Sequence, residues 1–215
     1  MFTAFLRKLE IVVRDSTLRS RILFVLGALV VFRVLATIPI PSVNAAQLDA
    51  FLNSNQFLGL LNIFSGGGLS SLSIVMLGVG PYITASIIMQ LATVLLPKLK
   101  QMYQEEGDAG RQRFTMYSRY LTVPLAFIQA FAFLMLLRQN GVIPDSLDVL
   151  TMVVNVMVIA AGSMLLMWIG ELISEFGVGN GVSLLIFAGI VAGLPSAVSQ
   201  AVFTFDVSQI PVYIG

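Results

Sequence analysis

Five long apolar stretches alternate with polar segments along the chain, at residues 22–40, 74–97, 120–137, 149–170 and 182–203. Each stretch is 18 to 24 residues long. A helix rises about 1.5 Å per residue and the hydrocarbon core of a bilayer is about 30 Å thick, so about 20 apolar residues cross it. The pattern therefore predicts an all-α integral membrane protein with five transmembrane helices.

The positions of the basic residues orient these helices. Ten of the 12 Lys and Arg residues lie either before the first stretch or between the second and the third. They are Arg7, Lys8, Arg14, Arg19 and Arg21, and then Lys98, Lys100, Arg111, Arg113 and Arg119. If all five stretches cross the membrane, both segments lie on one side, and the positive-inside rule makes that side the cytoplasm. We therefore expect a cytoplasmic amino terminus, and we expect the carboxy-terminal end of this chain to lie outside.

The composition agrees with a membrane protein and excludes several kinds of chemistry. Charged residues make up 11% of the chain, whereas a soluble domain usually carries about 25%. The chain has no Cys and no His, which excludes disulfides, thiolate or imidazole metal sites and histidine-based acid–base catalysis. Glu171 and Glu175 lie one helical turn apart, but the chain has no histidine or cysteine that could act with them. The sequence therefore predicts no enzyme activity, no catalytic residue and no metal site.

The chain begins with a charged segment, residues 1–21, in which apolar side chains recur at helical spacing. This predicts an amphipathic helix on the cytoplasmic surface, and a solvated lead-in is the alternative. No small-residue cleavage site follows the apolar run from Ile22, so we interpret that run as a retained spanning helix. The membrane region is then residues 22–215.

The segment at residues 57–73 is apolar but too short to cross a membrane, and it contains three successive glycines, Gly66 to Gly68. Glycines favour a break in a helix. Because both ends of the segment are predicted to lie outside, it fits a short helix that dips into the membrane from that side. Irregular backbone at membrane depth needs protein or a water-filled cavity around it, so this interpretation predicts an aqueous interior. An interfacial helix lying flat outside is the alternative.

Two features of the remaining sequence bear on the interior. Gly78, Gly80 and Pro81 should kink or locally open the second span, and the amide of Gln90 should face away from lipid. The highly charged segment 98–119 is predicted to be a cytoplasmic loop, either solvated or serving as a docking surface.

Four motifs then occur in order: IPIPSV at 38–43, NIFSGGGLSSLSIVMLGVGPYITASIIMQL at 62–91, EEGDAGRQRFTMYSRY at 105–120 and MLLMWIGELISEFGVGNGVSLLIFAGIVAGLP at 164–195. Together they resemble the amino-terminal half of the SecY family, the central subunits of the bacterial protein-conducting channel. The resemblance implies a multi-pass protein of the bacterial cytoplasmic (inner) membrane. It matches helices one to five of a ten-helix, pseudo-symmetric channel. We expect a fragment, a truncated form or one chain of a split subunit.

The resemblance also implies roles for particular residues. An apolar pore constriction would include Val79, Ile83, Val182 and Ile186, which could otherwise be ordinary packing residues. A plug at about 57–71 would close the pore from outside, through Phe57, Leu60, Leu61, Asn62, Ile63, Phe64, Ser65, Gly66, Gly67 and Gly68. Polar positions near a lateral gate would be Gln90 and Asn180. Contacts to a cytoplasmic partner would involve Glu105, Glu106, Arg111 and Arg113.

The function implied is half of a channel that passes unfolded polypeptides across the membrane and membrane segments sideways into it. The implied partners are the remaining half (helices six to ten), the SecE and SecG subunits, SecA or the ribosome, nascent polypeptides with signal sequences, and the lipid bilayer. No cofactor and no sequence-specific nucleic acid are implied. Half of an inverted-repeat transporter for a small solute is the alternative, although the five apolar stretches contain no acidic residue.

Overall fold

The structure is a computed structural model that describes residues 15–40, 62, 67–69, 71–144 and 148–203, with the side chains of 196–203 excepted. Its helices are α1 (Ser16–Ala36), α2 (Gly80–Leu95), α3 (Pro97–Gln104), α4 (Gly107–Gln139), α5 (Val149–Phe176) and α6 (Gly181–Phe203). Over these described ranges the chain is helical and no strand forms; a single bridge pairs Pro39 with Ser73. The all-helical class predicted from the apolar stretches is confirmed for this part of the chain.

Helix α1 begins earlier and ends earlier than the first apolar stretch. Asp15 caps its amino terminus, because the carboxylate Oδ1 accepts hydrogen bonds from the backbone N–H groups of Thr17 (2.9 Å) and Leu18 (3.3 Å). The helix ends at Ala36, shortly before Pro39, whose ring does not fit a helix interior. The amphipathic surface helix was expected at residues 1–21. Residues 1–14 lie outside the described part of the chain, and residues 16–21 belong to α1.

The second span becomes helical only at Gly80, six residues later than the apolar stretch starts. Residues 74–79 form successive turns, in which Gly78 has a positive φ of 58°. Pro81 lies in the first turn of α2, where its missing N–H costs no helical hydrogen bond. The sequence predicted a kink or a local opening in this span. The structure instead has a non-helical segment, residues 74–79, which leads into α2 and is called its entry below.

A backbone clip joins this entry to the end of α1. The N–H of Ile40 donates to the carbonyl of Leu72 (2.8 Å), and the N–H of Ile74 donates to that of Ile38 (3.0 Å). The hydroxyl of Ser71 adds a bond to the carbonyl of Ala36 (2.8 Å). Two segments about 35 residues apart in the sequence are thus fixed side by side.

The charged segment 98–119 differs from its predicted loop, because it is helical except for a turn at Glu105 and Glu106. Pro97 starts α3 after an extended Leu96, and α2 and α3 are bent by 111°. Helix α3 then folds back on α4, with the rings of Tyr103 and Phe114 4.8 Å apart. The apolar pattern predicted a span that starts at residue 120, whereas α4 begins about three turns earlier, at Gly107.

Helix α4 buries a stripe in which every fourth residue faces the protein. Most of these residues are small: Gly110, Ser118, Thr122, Ala126 and Ala130. Small side chains let membrane helices approach closely, and the hydroxyls of Ser118 and Thr122 bond to their own helix. The stripe packs α4 against α2, α3 and α5.

Helix α5 is the centre of the fold, because it packs on α1, α2, α4 and α6. It contributes to both hydrophobic clusters. One cluster contains Ile40, Leu69, Leu72, Met76, Ala130, Leu134, Leu137, Val142, Ile143 and Ile159. The other contains Phe32, Ala36, Val75, Val79, Leu166, Ile169, Ile173 and Leu185. By length and apolar composition α4 and α5 can each cross a membrane, and α2 with α3 has the length and composition of either one broken span or a re-entrant loop.

Candidate functional site

Two cavities meet between α2 and α6. The first, cavity I, has a volume of about 520 Å³ and lies beside the amino-terminal end of α2. Its lining is mainly apolar: Leu69, Met76, Leu77, Val79, Gly80, Ile83, Thr84, Gln129, Ala132, Phe133, Leu136 and Ile186. One polar contact crosses its wall, where the amide of Gln129 on α4 donates to the hydroxyl of Thr84 on α2 (3.4 Å).

Cavity II has a volume of about 790 Å³ and is polar by comparison. It lies beside the carboxy-terminal end of α5 and the amino-terminal end of α6. Its polar lining residues are Tyr82, Ser86, Gln90, Thr115, Arg119, Trp168, Glu171, Ser174, Glu175, Asn180 and Ser183. The lining of cavity II therefore offers hydrogen-bonding and charged groups beside apolar side chains.

Ile83 and Ile186 line both cavities, so they lie where the two spaces meet. Val79 lines cavity I only and is 6% exposed, and Val182 lines cavity II only. All four predicted constriction residues thus lie at or next to one apolar junction. Val182 and Ile186 lie four residues apart on α6 and therefore share one face, whereas Val79 lies in the non-helical entry, where its carbonyl accepts the N–H of Ile83 (3.0 Å).

The two predicted gate residues, Gln90 and Asn180, both line cavity II. Gln90 is exposed there. Asn180 has a structural task as well, because its Oδ1 accepts the backbone N–H of Ser183 (3.0 Å) and so caps α6. Asparagine at this position satisfies a donor that the first turn of a helix otherwise leaves unpaired.

An ion pair between Arg119 on α4 and Glu171 on α5 also lines cavity II. Sequence reasoning missed it, because it compared Glu171 only with its neighbour Glu175. A signal did exist: Arg119 directly precedes one apolar stretch and Glu171 directly follows the next. Antiparallel neighbouring spans bring such flanking charges to the same end, so the pair could have been predicted.

The four residues predicted to contact a cytoplasmic partner lie together around the turn between α3 and α4. All four are exposed. Arg113 and Glu106 form a surface ion pair (3.6 Å), while Glu105 lies in the turn itself and Arg111 lies near the start of α4. The turn itself depends on Gly107, whose φ is 64°.

Only part of the predicted plug can be placed. Asn62, Gly67 and Gly68 are described, and the N–H of Gly67 donates to the carbonyl of Asn62 (2.9 Å). Gly67 has a φ of 81°, which fits the expected break. The other seven residues lie outside the described part of the chain: Phe57, Leu60, Leu61, Ile63, Phe64, Ser65 and Gly66. Within the described part, no group of three or more acidic side chains is arranged to hold a metal ion.

Comparisons with known proteins agree with this arrangement. A family model for SecY matches residues 73–214. The chain is 48% identical over 192 residues to the protein translocase subunit SecY of Helicobacter pylori, covering 86% of this chain and 45% of that protein. It is 42% identical over 209 residues to the subunit of the same name from Mycobacterium tuberculosis (strain H37Rv), covering 91% and 46%.

Two solved structures share the fold, each with a TM-score of 0.58 and 22% identity, covering 83% of this chain and 38% of the other. One is a protein-conducting channel, and the other is Sec61 in the canine ribosome–channel complex from the endoplasmic reticulum. The chain spans about half the length of the curated relatives it matches. The small-solute transporter alternative finds no support among these relatives. By the extent of the family match and the identity to its members, the chain belongs to the SecY family.

Proposed function

We propose that this chain forms one wall of a protein-conducting channel, through which unfolded polypeptides cross the bacterial cytoplasmic membrane. The observation that carries the proposal is the junction of cavities I and II at Ile83 and Ile186. A mainly apolar cavity and a more polar one thus share two branched apolar side chains as a common boundary. Such a profile suits a passage that must let a chain through while it limits the flow of ions.

The chemistry of this passage is passive. A polypeptide needs walls that do not bind it strongly, and apolar side chains at the narrowest point offer no hydrogen bonds to its backbone. When no chain is present, an apolar constriction can close by dewetting. The plug proposed at about 57–71 adds a second barrier. Leu69 belongs to this segment and lines cavity I together with Ile83 and Ile186, which supports a position of the plug next to the constriction.

The proposed lateral gate is this half's contribution from α2 and α4, next to Gln90 and Asn180 in cavity II. A signal sequence leaving through it would favour the open state only through better contacts in that state. The chain has no catalytic role in the proposal, so the energy comes from a partner such as SecA or the translating ribosome. The exposed turn between α3 and α4 is the proposed docking point.

The complete channel requires helices six to ten and, we propose, the SecE and SecG subunits. Cavities I and II are only partly enclosed, which fits a wall that a second half completes. The proposed orientation keeps the positive-inside arrangement, with Arg111 and Arg113 in the cytoplasm and the end of α6 outside.

The constriction is tested with Ile83→Thr and Ile186→Thr in the complete translocase, reconstituted into liposomes. Threonine keeps the branched shape but adds a hydroxyl that binds water at the junction. We therefore expect ion leak to rise several-fold for each variant and further for the double variant. Ile88→Thr and Ile190→Thr are matched controls, since both residues are similarly exposed (42% and 36%, against 36% for Ile83) and line neither cavity. Equal leak in the test and control variants would reject the constriction.

A further inference from the structure

A third cavity lies away from the proposed passage, in a groove between α4 and α5. The α4–α5 groove has a volume of about 270 Å³. Its walls include Phe127 and Phe131 from α4, and Val149, Val153 and Met157 from α5. These side chains are 37% to 76% exposed. The groove therefore opens outward, between the two described helices that are each long and apolar enough to cross a membrane.

The charge in the groove is confined to one end. Arg138, in the last turn of α4, is the one charged side chain among the lining residues. It makes an interaction within the protein already, but a guanidinium carries five N–H donors and can serve more than one acceptor. Asp148, which is exposed and directly precedes α5, lies beside the same end, and no side-chain capping bond holds its carboxylate. One end of the groove is thus lined by a cation, and an anion directly precedes Val149, which also lines the groove.

The length of the groove matches one leaflet of a bilayer. Its α4 wall runs from Phe127 to Arg138, and 11 residues of helix rise about 16 Å. Half of a hydrocarbon core of about 30 Å is about 15 Å. In the predicted orientation Arg138 lies at the outer interface, so the apolar walls reach from the outer headgroups to the middle of the membrane.

We propose that the α4–α5 groove is a binding site for one outer-leaflet phospholipid with a zwitterionic headgroup, phosphatidylethanolamine. One acyl chain lies along the apolar walls, the phosphate accepts hydrogen bonds from Arg138, and the ammonium lies near Asp148. The carboxylate is the reason for this choice, because it repels an anionic headgroup and can accept hydrogen bonds from an ammonium. Guanidinium-to-phosphate bonds are charge-assisted and directional, so they would hold the lipid more firmly than the apolar contacts alone.

The test is photolabelling of the complete translocase in liposomes, with a phosphatidylethanolamine analogue that carries a diazirine on one acyl chain. We expect saturable labelling of peptides covering 127–138 and 149–157, above the non-saturable labelling of α6. Unlabelled phosphatidylethanolamine should compete better than phosphatidylglycerol. If labelling of the groove does not saturate, the groove is not a lipid site, and if phosphatidylglycerol competes equally well, the zwitterionic assignment is wrong.

Two variants test the contacts separately. Arg138→Gln should raise the analogue concentration for half-maximal labelling about tenfold, the loss expected for a charge-assisted hydrogen bond. Val153→Trp fills the groove and should reduce labelling there to the level of α6. Val191→Trp on α6 is the matched control, because Val191 and Val153 are 40% and 44% exposed, and it should leave labelling unchanged. Unchanged labelling in both groove variants would overturn the proposal. This result is independent of the proposed function, because the ion leak of the Ile83 and Ile186 variants tests a different site.

Discussion

Replacing Gly162 with alanine is expected to separate two parts of the fold that now touch. Gly162 lies on the buried side of α5, and a Cβ atom added there would lie 2.0 Å from the carbonyl oxygen of Ile74 and 2.8 Å from its carbonyl carbon. Carbon and oxygen atoms in close contact are about 3.3 Å apart. Helix α5 and the entry to α2 would therefore have to move apart by about 1.3 Å.

The entry to α2 cannot make this movement cheaply. The N–H of Ile74 is bonded to the carbonyl of Ile38, and the N–H of Met76 is bonded to that of Ser73. Overpacking against a fixed backbone typically costs 1–3 kcal/mol, and we expect Gly162→Ala to lie near 3 kcal/mol. Domains of about 150–250 residues lose about 2–4 °C per kcal/mol, and the complete translocase is larger, so the midpoint of thermal unfolding should fall by a few degrees.

Circular dichroism of the purified translocase during heating measures this change. Gly27→Ala is the control, because no atom lies within 4 Å of its added Cβ, and alanine is up to about 1 kcal/mol better than glycine inside a helix. The control should keep or slightly raise the midpoint. A Gly162→Ala protein that unfolds at the temperature of the control would refute the argument that the α5 contact with Ile74 is close and rigid.

Two further predictions concern cavity II. Asn180→Ala removes the cap of α6 and should cost about 0.5–2 kcal/mol in the free energy of unfolding, whereas Asn180→Asp keeps an acceptor and should cost less. Thermal unfolding of both variants checks this, and equal losses would contradict the capping role. Glu171→Gln removes the ion pair with Arg119, which should cost about 0.5–1 kcal/mol because the Arg119 side chain is 42% exposed and water screens the charges. A double-mutant cycle with Arg119→Gln measures the coupling energy; a value of zero would mean that the pair does not hold α4 to α5.

The elements that the sequence predicted well are those with a local signal. Apolar length alone located α5 and the part of α4 from residue 120 onward. Gly78 and Pro81 indicated a disturbance at the start of the second span. Its extent was not predictable, because the turns at 74–79 depend on the clip to Ile38 and Ile40, which are distant in sequence.

The residues at the junction of the cavities needed more than a pattern. Ile83 and Ile186 are ordinary apolar residues in apolar helices, and nothing in their neighbours distinguishes them from packing residues. Only the resemblance to a known family selected them, and only the relative positions of α2 and α6 bring them to one place. The ion pair of Arg119 with Glu171 lies between these cases. The opposite charges and their positions beside two apolar stretches are visible in the sequence, but their contact depends on how α4 packs on α5.

The clip between α1 and the entry to α2 also has an evolutionary consequence. The clip bonds Ile40 to Leu72 and Ile38 to Ile74, so the two ends of the sequence between them are fixed side by side. The entropy of closing a loop grows slowly, by about 0.6 kcal/mol for each doubling of its length. Insertions and deletions at 42–56, before the proposed plug, should therefore accumulate among related proteins without shifting α1 or α2, so that part of the sequence can diversify while the helices around it stay in register.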